Sequence, residues 1–268
     1  MKLLTKTFAL LGALSLGITS CKKDAKDPAP QVQSDEVSQA VKDKISALGY
    51  TSSTAQKIDE GYLVEGDIVI TETDLNSVPE NIFLRIADDE QYRTNNLVTG
   101  LPRNITIRVS SSLPGSYVTA TNAAIARYNA QGLRVTFSRV TSGGNIVITA
   151  APSGSGYLAS AGFPSGGNPY NSVKVNRSYL DTWNANTVAS IIAHEVGHCI
   201  GFRHSDYMSR QYSCGGSPVN EGASTVGAVH IPGTPTGPAA GSWMLACIGN
   251  GVNRPFNSSD ITALNYVY

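Results

Sequence analysis

Residues 194–204 read His194-Glu195-Val196-Gly197-His198-Cys199-Ile200-Gly201-Phe202-Arg203-His204 and hold three of the four histidines in a chain of 268 residues. No other stretch constrains the fold as much. Residues four apart on a helix differ by about 40° of rotation, so His194 and His198 project from one face. Val188, Ile192 and Val196 lie four apart and carry that helix back to about Asn186. Gly201 supplies the left-handed backbone that ends a helix and turns the chain, and the turn can bring His204 back to the first two histidines. Three neutral imidazoles suit a single zinc ion and leave a fourth position for water, whose pKa falls towards about 7 when bound. Glu195, next to the first ligand, is placed as the general base that takes the water's proton and later delivers it to a leaving amine.

HExxH alone is a short pattern with many chance occurrences, whereas HExxHxxGxxH adds a turn glycine and a third ligand at set positions. The longer pattern resembles the signature of the metzincin clan of zinc endopeptidases, and the wording HEVGHCIGFRHSD is similar to that of the bacterial dual-action HEIGH metallopeptidases. The resemblance covers roughly residues 102–268. It implies an α+β catalytic domain with a mixed twisted sheet, a backing helix, the active-site helix, a methionine turn beneath the metal and a C-terminal helix. Met244, in Gly241-Ser242-Trp243-Met244-Leu245, is the turn methionine on this reading, because Met208 follows His204 too closely. Ser242-x-Met244 resembles the Ser-x-Met of astacin-type turns, but Ala246 stands where astacins carry a tyrosine that steadies the oxyanion. Tyr207 and Tyr212 recommend themselves only by nearness in sequence, and His230 reads more readily as a loop histidine than as a fourth ligand. The clan binds its protein or peptide substrate as an extended strand against the sheet edge, and Gly156–Phe163 suits an exposed edge strand.

The element pattern agrees with that order. Ile105, Ile107 and Val109 alternate as a half-buried strand, and Val118, Ile125 and Tyr128 fall on one helix face with Gly132 placed to end it. Val135 with Phe137, Ile146–Ile148, and Val173 with Val175 read as three more strands. The chain closes on a short helix that Ser258 or Ser259 can cap, with Asp260 in its first turn.

Ahead of this domain lie three other segments. Lys2 and Lys6 precede an apolar stretch, Phe8–Ile18, too short to span a bilayer, so residues 1–20 read as an export signal. Ile18-Thr19-Ser20-Cys21 resembles a bacterial lipobox, which implies lipidation of Cys21, a tether over 21–35 and a membrane-anchored lipoprotein at the outer membrane or cell surface. Residues 36–95 begin with a helical pattern in Val41, Ile45 and Leu48 and continue in two strand-like runs, Tyr62–Val64 and Ile68–Ile70, either side of Glu65-Gly66-Asp67. Val64-Glu65-Gly66-Asp67-Ile68 resembles the FxGD segment of astacin pro-regions, which implies a latency segment with Asp67 as the latency ligand, released by cleavage near Arg93. The same residues also suit an ordinary hairpin turn in a structural layer that stays attached.

The 20 basic and 20 acidic residues cancel, so no cationic surplus drives binding to nucleic acid. Export makes disulfides available, and with Cys21 lipidated Cys199, Cys214 and Cys247 allow three pairings. The leading function is therefore zinc-dependent cleavage of extracytoplasmic proteins or peptides. The competing one is a lipid-anchored binding or adhesion protein that keeps structural zinc without catalysis, and the presence of Glu195 favours cleavage.

Overall fold

The computed structural model describes residues 36–76, 91–222, 227–235 and 237–268. Cys21, the export signal and the tether lie outside them. Asp35–Tyr268 forms one compact unit, and none of its described helices is long and apolar enough to cross a membrane.

The first elements build a small layer. Helix α1 (Gln39–Ala47) starts where the Ser38 side chain accepts from the Val41 N–H, and it ends before Gly49, which has φ +83°. Strands β1 (Gln56–Ile58), β2 (Gly61–Val64) and β3 (Ile68–Ile70) form an antiparallel sheet in that order. A single turn, α2 (Glu72–Leu75), follows with a Thr71–Asp74 capping box. Ile45 and Leu48 from the helix meet Val64, Ile68 and Ile70 from the sheet in a core of their own. In register, Val64 pairs with Ile68, so Glu65, Gly66 and Asp67 form the connecting loop.

A two-residue strand, β4 (Tyr92–Arg93), precedes the main sheet of β5 (Arg103–Val109), β6 (Val135–Val140), β7 (Ile146–Ala150), β8 (Ala159–Ser160) and β9 (Ser172–Val175). Its order is β6-β5-β7-β9-β8; only the β8–β9 pair is antiparallel, so the sheet is mixed. Between β5 and β6 runs α3 (Gly115–Asn129), whose parallel crossover is what two parallel strands require. After a single turn, α4 (Arg177–Leu180), comes α5 (Ala185–Cys199), with Asn184 as its N-cap. Helix α3 lies on β5 and β6, α5 on β8 and β9, and the two helices on each other. Tyr128 ties them by donating from its hydroxyl to the Ala193 carbonyl at 2.7 Å.

Two sequence expectations change here. Edge strand β8 is buried rather than exposed, and the chain just past it pairs with the start of β3: the Ala161 N–H donates to the Asp67 carbonyl at 2.9 Å and the Val69 N–H to the Ala161 carbonyl at 2.7 Å. The closing helix, α7 (Ser258–Val267), is capped by Asn257 and not by a serine, since Asn257 and Asp260 exchange side chain to backbone bonds in a capping box. Gly201, with φ +109°, turns the chain after α5 as expected, and the chain beyond it runs beside β4, with Thr94 N–H donating to the Gly201 carbonyl and Arg203 N–H to that of Tyr92. A 3₁₀ turn (Tyr207–Ser209), α6 (Gln211–Cys214) and β10 (Val229–His230), which pairs with β4, complete the region between α5 and α7.

Candidate metal centre

The Nε2 atoms of His194 and His198 lie 3.0 Å apart. Asp67 Oδ2, from the loop between β2 and β3, stands 3.0 Å from His204 Nε2 and 3.5 Å from His194 Nε2. One ligand atom from each of these four residues lies within 4.8 Å of every other. Four donors around a tetrahedral zinc would be about 3.4 Å apart, given bonds of about 2.0–2.1 Å. The spacing thus fits one ion.

Each imidazole is also held at its other nitrogen. His194 Nδ1 donates to the Trp243 carbonyl at 2.8 Å, His198 Nδ1 to the Phe202 carbonyl at 2.8 Å, and His204 Nδ1 to the Glu221 carboxylate at 3.0 Å. Occupying Nδ1 this way leaves the Nε2 lone pair facing inward, which is the tautomer that a metal needs. Burial, reinforced by the neighbouring imidazoles, pushes His198 well below the usual histidine range. His204 moves the other way: burial opposes its charge, but Asp67 and Glu221 on opposite nitrogens override that and hold it well above. A positive charge belongs at that Nε2, whether carried by a proton or a metal. Burial opposes the charge of Asp67, but the neighbouring His204 charge and the bond from His204 outweigh it and hold the carboxyl well below the ordinary carboxylate range.

Glu195 is buried, and its Oε2, like Oδ1 of Asp67, has no hydrogen-bond partner. Burial, then the charge of Asp67, pushes its carboxyl well up. An orphaned Asp67 oxygen on a carboxylate that meets three anchored histidines, and another on Glu195 next to the first of them in sequence, are what a site built for a cation and a water would leave.

The turn through Met244 is part of this scaffold. The Ser205 N–H, next to His204, donates to the Met244 carbonyl at 2.8 Å. A Cβ at Gly197 would fall 2.6 Å from Met244 Sδ and 3.0 Å from Trp243 Nε1. Glycine at this position of the HEVGH run therefore answers a packing demand from residues nearly fifty positions on.

The loop that carries Asp67 is clamped. Glu65 takes φ +54°, a left-handed conformation that a side chain tolerates only when its surroundings impose it. Here Arg203 Nη2 donates to Glu65 Oε2 at 3.0 Å, and both side chains are fully buried. The Arg203 guanidinium lies 5.5 Å from the ring centroids of both Tyr50 and Tyr207. Arg210 adds a bond to the Glu65 carbonyl and pairs with Glu221 at 2.9 Å.

Of the residues singled out in the sequence, the structure brings His194, His198, His204 and Asp67 into one cluster, puts Glu195 in the wall of the cleft beside it, and sets Met244 against Gly197 and Ser205. Tyr207 is buried against Tyr92 and Arg203, and Tyr212 is exposed. His230 is paired through β10 and stands outside the cluster. Cys214 and Cys247 form the disulfide, which leaves Cys199 buried as a free thiol. Ala246 N–H donates to Asp206 Oδ1 and so is committed elsewhere. Sequence reasoning missed Glu221, 17 residues past His204 in a stretch without pattern, and the Glu65–Arg203 pair. A charged residue close beside each of Asp67 and His204 was the available signal for that pair.

The profile of the dual-action HEIGH metallo-peptidases matches residues 62–268. No curated protein matches the chain. Two solved structures of myroilysin are similar at 14% identity and a TM-score of 0.43; one match covers 64% of this chain and 82% of myroilysin, the other 65% and 86%.

Proposed function

The chain belongs to the dual-action HEIGH metallo-peptidase family, and from that premise we propose a zinc endopeptidase of the metzincin type, held latent by its own Asp67. The observation that carries the reading is the ring of donors: three imidazoles fixed at Nδ1 and converging at Nε2, closed on the remaining side by Asp67 Oδ2. His194, His198 and His204 would hold the ion, with Asp67 in the place where a water would otherwise sit. Zinc, when bound, supplies Lewis acidity that polarises a carbonyl oxygen and acidifies a water.

The protein's own groups supply the rest. Glu195 takes a proton at its unpartnered carboxylate oxygen and returns it to the leaving amine. Burial makes it a stronger base than an exposed glutamate, and an acid able to hold the proton between the two transfers. The turn at Trp243–Met244 orients His194 through the Trp243 carbonyl. A substrate strand would use the backbone groups of Ala161 that Asp67 and Val69 now occupy. Loop and ligand therefore block the metal and the peptide-binding edge together.

Gln91–Thr94 support a boundary ahead of Gln91 rather than near Arg93, because Gln91 Nε2 donates to Ser242 and Asp260 and Tyr92 pairs with Arg203. On this reading a cut before Gln91 releases the segment that begins at residue 36. The Cys214–Cys247 bridge fits an oxidising compartment and supports export, with Cys21 as the lipid anchor and release into solution on cleavage.

The test uses the zinc-loaded full chain, Asp67→Ala and Glu195→Gln with casein, with and without a chelator. Asp67→Ala frees the ligand position but not the edge, so it should cleave chelator-sensitively, faster than the parent chain and slower than the chain cut ahead of Gln91, while Glu195→Gln should bind one zinc and cleave nothing. Equal activity of Asp67→Ala and the parent would end the latency proposal. One zinc per chain with no cleavage by any form, cut or uncut, would favour the non-catalytic binding protein.

A further inference from the structure

Beside Glu195 the cluster opens into a cleft of about 230 Å³ whose walls include Leu158, Ile191, Leu245 and Ile248, with Arg210 and Arg254 reaching into it. An apolar cleft holding two guanidinium groups is an unusual balance. Arg254 is half-buried, and its guanidinium donates to the carbonyls of Leu245 at 3.3 Å and Cys247 at 2.7 Å. Both acceptors are neutral, and among the described residues Arg254 has no carboxylate in ion-pair contact. The acids that act on it from a distance, Asp206 and Asp260, are already engaged: Asp206 by the Ala246 N–H and the Ser213 hydroxyl, Asp260 by Gln91 and the Trp243 N–H. Burial accordingly pulls the Arg254 guanidinium below its ordinary range. A half-buried cation held only by carbonyls retains the capacity to take a carboxylate.

Arg210 adds to the same charge. It pairs with Glu221 at 2.9 Å and reaches the Glu65 carbonyl, passing so close to the loop that a Cβ on Gly66 would stand 2.7 Å from its Nη2. When the loop leaves, Arg210 loses that carbonyl and the cleft loses the negative charge of Asp67. The mature cleft then presents Arg254 without an ion-pair partner and Arg210 still paired with Glu221, with Glu195 as the remaining acid in its wall.

Resting on the peptidase reading, we propose that this cleft selects a substrate with an acidic side chain, glutamate or aspartate, at the residue that supplies the leaving amine, with Arg254 as its partner. The side of the scissile bond follows from Glu195. The group that returns a proton to the amine lines this cleft, so the residue bearing that amine lies nearest to it. The apolar walls take the methylene groups of the side chain, and the guanidinium takes the carboxylate as a charge-assisted, fork-shaped pair.

The experiment uses the zinc-loaded chain cut ahead of Gln91, because Asp67→Ala alone would leave the loop backbone on Ala161, and three peptides that differ only in one residue, Glu, Gln or Leu, with products identified by mass. Cleavage should fall directly before that residue, and kcat/KM for Glu should exceed that for Gln by about tenfold or more. Arg254→Gln should bring the ratio near one and Arg254→Lys should keep part of it, with bound zinc verifying the fold of each variant. Calorimetry gives a readout independent of turnover: Glu-Ala-Ala should bind the zinc-loaded chain more tightly than Gln-Ala-Ala, and Arg254→Gln should remove the difference. Equal cleavage of the Glu and Gln peptides, or a preference that survives Arg254→Gln, overturns the proposal. Failure to cleave any of the peptides counts against the peptidase reading, while the tripeptide pair still decides the role of Arg254. If Arg254→Gln does not fold, the Glu to Gln ratio and the tripeptide pair on the Arg254 chain decide it.

Discussion

Gly197→Ala connects helix packing to metal affinity through one methyl group. An added Cβ would stand 2.6 Å from Met244 Sδ and 3.0 Å from Trp243 Nε1. Alanine gains about 1 kcal/mol over glycine in a helix interior, and overpacking a filled site costs about 1–3 kcal/mol. The net expectation is a loss of about 0–2 kcal/mol. A thioether could swing aside in open space, but Met244 is 0% and Trp243 1% exposed, so the push passes to their backbone. That backbone holds the site: the Trp243 carbonyl fixes His194 and the Met244 carbonyl fixes the residue after His204. Zinc affinity should therefore fall by about 10–100-fold, the usual penalty for disturbing groups that orient ligands. Urea denaturation of the metal-free chain measures the first effect, and competition with a chromophoric chelator measures the second. Met244→Ala alone should cost about 2–5 kcal/mol through the cavity it leaves. Because the methyl group introduced by Gly197→Ala would partly fill that cavity, the double variant should cost less than the two single changes added together by about 1 kcal/mol. Strict additivity, or unchanged zinc affinity in Gly197→Ala, would refute the packing argument.

Two further outcomes follow from the same structure. Glu221→Gln weakens the anchor at His204 Nδ1 and removes the partner of Arg210, so zinc affinity should drop by about 10–100-fold with the disulfide intact; chelator competition beside a Cys214–Cys247 thiol count checks this. Asp260 is pushed up to about 6 by burial, against the bonds it accepts from Asn257, Ser242, Trp243 and Gln91, whereas an unfolded aspartate titrates near about 4. Between those values the folded chain keeps a proton that the unfolded chain has released, so this group's contribution to stability is present below about pH 4 and lost as pH rises to about 6, amounting to about 3 kcal/mol. Subtracting the urea stability curve of Asp260→Asn from that of the parent should show this fall, and a flat or rising difference would exclude it.

Periodicity and local motifs were enough to read α1, α3, α5 and strands β5, β6, β7 and β9, because an apolar face repeating at the helix or strand period announces an element without reference to its neighbours. Short elements escaped: β4 and β10 are two residues each and exist only because they pair with one another and with the chain after Gly201. At the closing helix Asn257, Ser258 and Ser259 compete for the cap, and only the reciprocal bond with Asp260 selects Asn257.

The same division runs through the site. By itself the sequence determined that His194 and His198 share a face, that Glu195 stands beside them and that a glycine turn precedes His204, because these relations depend on dihedral geometry over a few residues. Tertiary structure decided between the two readings of Asp67, bringing it to His204 across 137 positions, and it alone decided that Glu221 and the Trp243 carbonyl fix the imidazoles, that Met244 dictates Gly197, and that Arg254 enters the cleft. Those are contacts between segments far apart in the chain, set by which surfaces bury each other when helices, sheet and loops close around the core, and no local pattern encodes them.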